Sequence, residues 1–92
     1  MIKRLRLLVF GQVQAVGYRY YAQKRSVELG LVGYVKNLPD NTVLVVAEGE
    51  EKELHQLIYS CLTGPPHAKV DKIEKFWENA SNEFTDFKII TT

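Results

Sequence analysis

LVGYVKNLPDNTVLVVAE, residues 31–48, is the stretch that decides the fold. Pro39-Asp40-Asn41 is a turn tripeptide set between two runs of strand-forming residues, so Leu31–Leu38 and Thr42–Glu48 read as the arms of a hairpin. The second arm is dense in β-branched side chains, as a central strand should be. Upstream, Tyr18–Leu29 carries Tyr18, Tyr21, Ala22 and Leu29 at helical spacing, and Gly30 falls where a left-handed C-terminal cap belongs. Downstream, Glu50–Leu62 places Leu54, Leu57, Ile58, Cys61 and Leu62 on one stripe of a second helix. Glu50, Glu51 and Glu53 suit the positive end of its dipole, and Gly64-Pro65-Pro66 ends it.

Farther out, Lys3–Phe10 alternates, with Leu5, Leu7 and Val9 on one side and Arg4 and Arg6 on the other, a half-buried strand. Ala68–Trp77 is a weakly patterned fourth strand, Asn79–Asn82 a polar turn and Phe84–Ile90 a short closing strand. The order is β-α-β-β-α-β plus one strand, within one domain spanning residues 1–92. With right-handed crossovers this order gives an antiparallel sheet covered on one face by two helices. Strands one and two then run the same way with strand three between them. Their C-terminal ends share one sheet edge, roughly 10 Å apart at ~4.8 Å per strand. The Gly11–Gly17 loop and the Lys36-Asn37-Leu38 strand end should therefore face each other, and a functional site is expected there.

Composition narrows the function classes. Hydrophobic residues make up 46% and charged residues 25%, the balance of a globular domain, and the net charge is only +1. Lys3, Arg4 and Arg6 are too few for a basic stripe and read as a solvated strand end, so nucleic acid is not an expected partner. RNA-recognition modules share this order of elements but need stacking aromatics on strand three, and Thr42–Glu48 has none. No segment approaches the ~20 apolar residues of a membrane span, so no membrane partner is expected. Cys61 is the one cysteine, which excludes an internal disulfide and reads as a small buried hydrophobe. His55 and His67 read as solvated, and no metal-ligand cluster is visible. A cytoplasmic monomer is the default expectation.

The segment Gly11-Gln12-Val13-Gln14-Ala15-Val16-Gly17-Tyr18-Arg19 leads from a strand into a helix N-terminus, whose free N–H groups suit a phosphate or carboxylate. Arg19 is mildly unfavourable in a first helical turn unless an anion is bound there. It could then grip a phosphate in bidentate fashion. The spacing matches neither a dinucleotide fingerprint nor a Walker loop. Pattern alone leaves a second reading open, a connection with turn glycines and a surface arginine.

GQVQAVGYR (11–19) followed by GLVGYVKNLPDNTV (30–43) resembles the acylphosphatase family, and the GPP-AKV segment and the final TDFKII strand extend the likeness over the whole chain. The resemblance implies a ferredoxin-like α+β sandwich and metal-independent hydrolysis of a small acyl phosphate to carboxylate and inorganic phosphate, with phosphate as product and inhibitor and no cofactor. It implies that Arg19 binds the phosphate, that the backbone of Ala15, Val16, Gly17, Tyr18 and Arg19 forms the cradle, and that Asn37 positions the attacking water. Two positions depart from the family pattern. Asn41 stands for a turn glycine and tolerates left-handed geometry. Ala15 stands for a loop glycine. A loop entering a helix can present successive N–H groups without positive φ at every step, so Ala15 is expected at negative φ, with Gly17 left for the step that needs it.

Overall fold

The computed structural model describes residues 1–91, in the order β1 (Ile2–Gln12), α1 (Tyr18–Glu28), β2 (Val32–Asn37), β3 (Val43–Glu50), α2 (Glu51–Thr63), β4 (Lys69–Asn79) and β5 (Phe87–Ile90). The strands lie in the order β4-β1-β3-β2-β5. β1 and β2 are each antiparallel to β3, so they run the same way on either side of it, as the crossover rule requires. The turn between β2 and β3 closes through Leu38 N–H donating to Thr42 O at 2.9 Å. Asp40 Oδ1 caps it by accepting from Thr42 N at 3.1 Å and Thr42 Oγ1 at 2.6 Å. Asn41 takes φ +72, the left-handed step for which Asn is suited.

Period-2 and period-3.6 patterns meet in one core. Leu5, Leu7 and Val9 of β1, Val35 of β2 and Val43, Val45 and Ala47 of β3 are fully buried beneath the helices. From above, α1 contributes Tyr18 and Ala22, and α2 contributes Leu54, Leu57 and Cys61. Burial pushes the Cys61 thiol up to about 12, so it is an inert packing group. Leu62, counted in the apolar stripe of α2, is instead exposed at the end of it.

The four strands of the β-α-β-β-α-β order pair antiparallel as expected, and the added closing strand makes the sheet mixed. β5 pairs with β2 in parallel, in register Gly33 with Phe87 through Lys36 with Ile90. β4 ends beside Lys3 at the start of β1, and β5 begins beside Gly33 near the start of β2. Residues 80–86 therefore cross the sheet along one end, a span of about 19 Å at ~4.8 Å per strand, without running back along it. A chain that returns at the same end must run parallel to β2. Phe84, expected within the closing strand, lies in this crossing and packs edge-to-face on Tyr34 with ring centroids 5.9 Å apart.

Arg4 also departs from expectation. It is no solvated strand end: its Nε donates to Glu48 Oε2 at 2.8 Å, and its Nη2 to Ser81 Oγ at 2.7 Å and Glu83 Oε1 at 3.1 Å. Glu48, only 2% exposed, also accepts from the backbone N–H groups of Ser81 and Asn82, which pins the crossing segment to the central strand. Burial alone would raise the Glu48 carboxyl, but the Ser81 N–H and Arg4 bonds outweigh it and hold it below the usual carboxylate range. Among the described residues no helix is long and apolar enough to cross a membrane.

Candidate active site

The end of β1 and the end of β2 come together at one edge of the sheet. The link is direct: Gln14 Nε2, in the loop after β1, donates to Leu38 O at 2.9 Å and Thr42 O at 2.8 Å across the β2–β3 turn. Beside it lies a cavity of about 200 Å³ lined by Ala15, Gly17, Arg19, Tyr20, Asn37 and Ile89 among others. A neighbouring cavity shares Arg19 and Asn37 and extends toward Lys36 and Pro39. Arg19 and Asn37, 18 positions apart in the chain, thus border the same space.

The N-terminus of α1 opens onto this cavity. Its first helical bond runs from Tyr21 N to Gly17 O at 3.1 Å, so the N–H groups of Tyr18, Arg19 and Tyr20 have no partner within the helix. The N-cap is Gly17, at φ +80 and ψ +15, which has no side chain to cap them, and the first turn contains no acidic residue. The other helix is built oppositely, with Glu51 and Glu53 in its first turn. At α1 the partial positive charge is left facing the cavity, and Arg19 adds a full one. Among the described residues Arg19 has no carboxylate partner. On the strand side, Asn37 Oδ1 is buried with no hydrogen-bond partner among the described residues. Asn37 lines both cavities, so its amide is a polar group on the strand side that no other described residue engages.

Not every residue of the expected cradle faces it with its side chain. Tyr18 turns its ring into the core, where its O–H donates to Cys61 O at 2.6 Å. Burial, reinforced by Cys61, drives the phenol above its usual range and keeps it a donor. Val16 also packs against the core. Neither side chain offers the cavity a free polar group. They fix the loop from beneath while Ala15 and Gly17 stay exposed.

Ala15 corrects a further expectation. Its φ is +61, not negative, and Gly17 is also left-handed, so the loop takes two left-handed steps within three residues. Left-handed residues alternating with right-handed ones are the backbone pattern that can turn successive N–H groups toward one concave side. An L-residue pays roughly 1–2 kcal/mol for this conformation. Gln14, quoted within the loop motif without a role, is the residue that sequence reasoning missed. Its signal was only a polar side chain between buried Val13 and exposed Ala15, and its partners lie on a remote turn. Among the described residues no three His, Cys, Asp or Glu side chains converge to hold a metal ion.

A ferredoxin-like sandwich that brings an uncapped helix end, an arginine and an asparagine to one cavity at its edge belongs with phosphate-handling domains. Comparison with known proteins makes the class specific. The acylphosphatase family model matches residues 5–89. The acylphosphatase of Marinobacter nauticus is 47% identical over 87 residues, covering 95% of this chain and 95% of that protein. That of Caldanaerobacter subterraneus subsp. tengcongensis is 40% identical over 89 residues, covering 97% and 99%. The crystal structure of acylphosphatase from Bacillus subtilis superposes with a TM-score of 0.93 at 33% identity, over 98% of this chain and 99% of that one. The chain belongs to the acylphosphatase family and has that family's hydrolase function.

Proposed function

We propose that the protein hydrolyses small acyl phosphates at the sheet edge described above, with Arg19 and the 15–19 backbone holding the phosphate and Asn37 positioning water. The observation that carries this reading is that Asn37, whose side-chain amide makes no hydrogen bond among the described residues, lines the same cavity as Arg19 and the open end of α1. The phosphoryl group, which is dianionic at neutral pH, occupies the loop concavity. There it takes N–H donors from the backbone and a bidentate grip from the guanidinium. Asn37 holds a water molecule through its side-chain amide and aims the lone pair of the water at phosphorus. As the water oxygen bonds to phosphorus, the bond from phosphorus to the acyl oxygen breaks, and the carboxylate leaves with the electron pair.

A carboxylate is a stable leaving group and needs no general acid. An amide cannot act as a base, so the proton of the attacking water passes to a phosphate oxygen of the substrate. Catalysis is then positioning and charge stabilisation, which is what phosphoryl transfer chiefly requires. The work needs no metal ion. The cavity recognises the phosphate end, and one chain of this size suffices, so the functional unit is a monomer. Turnover of benzoyl phosphate and acetyl phosphate, measured with EDTA present, tests the reading. Hydrolysis above the spontaneous rate, with competitive inhibition by inorganic phosphate, is expected. No turnover, or turnover abolished by EDTA, refutes it.

A further inference from the structure

The loop after β1 is joined to the β2–β3 turn by one side chain. Gln14 commits both amide hydrogens, one to Leu38 O and one to Thr42 O, and Leu38 directly follows Asn37. The next residue in the loop is Ala15, at φ +61. We propose that Gln14 is a positioning residue whose two hydrogen bonds clamp the phosphate loop to the strand end bearing Asn37 and hold Ala15 in its left-handed conformation. The proposal rests on the roles given above to Arg19 and Asn37, and adds the part that fixes the distance between them.

Satisfying the two carbonyls is not the reason for the clamp. Thr42 O already accepts from Leu38 N at 2.9 Å, and Leu38 O from Asn41 N at 3.2 Å. The turn closes without Gln14, which uses the second lone pair of each oxygen. What its bonds add is a fixed separation between two elements distant in sequence. Nor does packing hold Ala15, because the residue is exposed. A backbone in a sparsely populated region persists only where its surroundings over-determine it. Here the surroundings are the neighbour on one side, bonded twice across the site, and Val16 on the other, seated on the core. A glycine at position 15 would hold the same turn unaided.

The test is a double-mutant cycle of wild type, Q14M, A15G and Q14M/A15G. Methionine keeps the length and apolar stem of glutamine but donates no hydrogen bond. Each protein is measured for kcat and KM with benzoyl phosphate, for inhibition by inorganic phosphate, and for Tm. Q14M is expected to lower kcat about tenfold, ~1.4 kcal/mol of transition-state stabilisation. With A15G also present, Q14M is expected to cost only about two- to threefold, because the loop no longer needs the clamp. Thermal stability gives a readout independent of turnover. A15G should raise Tm in the wild-type background and raise it less in Q14M, where the freed alanine has already relaxed. A wild-type kcat in Q14M well below its Tm overturns the proposal. So does an A15G stabilisation of equal size in both backgrounds, whether or not the wild type turns over. Failure of wild type to hydrolyse benzoyl phosphate would instead refute the roles of Arg19 and Asn37, while the stability cycle still judges the clamp.

Discussion

Replacing Ala15 by glycine should stabilise the protein, against the usual cost of adding a glycine. Two terms compete. The left-handed conformation at φ +61 costs an alanine roughly 1–2 kcal/mol in the folded state, and glycine removes that cost. Glycine also widens the unfolded ensemble, which costs about 0.4–1 kcal/mol. A third term, lost burial of the methyl group, is negligible because Ala15 is exposed. The net gain is about 0.8 kcal/mol, within a range from about zero to 1.6. For a domain of 92 residues that is a rise in Tm of about 3–6 °C. Thermal unfolding followed by far-ultraviolet circular dichroism at neutral pH reads it directly. Urea unfolding with an unchanged m-value would show that the gain lies in stability and not in the compactness of either state. A fall in Tm would mean that Ala15 sits at negative φ in solution, and the left-handed loop proposed to hold the phosphate would be wrong.

Other expectations are simpler. Arg19→Ala should weaken inhibition by phosphate and lower turnover together, because the guanidinium holds the anion in ground and transition states alike. Asn37→Ala should lower kcat by about 10²–10³ while leaving phosphate affinity within a few-fold, since it touches only the water; near-wild-type turnover in either variant would remove that residue from the chemistry. Glu48→Gln should cost about 2–4 kcal/mol at neutral pH, because it takes the charge from a buried, fourfold-bonded partner of Arg4 and the crossing segment. The folded-state pKa of Glu48 is depressed, so its contribution is present above the unfolded carboxylate pKa and lost as pH falls through the folded one. Urea unfolding against pH should show a shallower acid limb for the variant, with the two proteins converging at low pH; parallel curves would show that the carboxylate charge is not what holds residues 81–83.

The order of elements, the two-helix cover and the edge of the sheet where Arg19 and Asn37 border one cavity were all legible in the chain. They depend on local regularities: alternation in Lys3–Phe10, the stripe Leu54, Leu57, Ile58 and Cys61, and a turn tripeptide at Pro39-Asp40-Asn41. Once the order was known, handedness alone put Arg19 and Asn37 at the same edge. The motifs Gly11–Arg19 and Gly30–Val43 carried the family because they fix particular residues at particular spacings, with Gly11 and Gly33 standing where a Cβ would strike Lys69 O and Val46 O. Other features were settled only by contacts between segments far apart in sequence. β5 runs parallel to β2 because residues 80–86 cross at one end of the sheet, and nothing in the residues of β5 states a direction. Arg4 is a pinned side chain because Glu48, Ser81 and Glu83 converge on it from two remote segments. Ala15 is left-handed although alanine prefers otherwise, because the loop is tied down on both sides of it. Backbone preference is a local quantity of about 1–2 kcal/mol, and a few tertiary bonds are enough to overrule it.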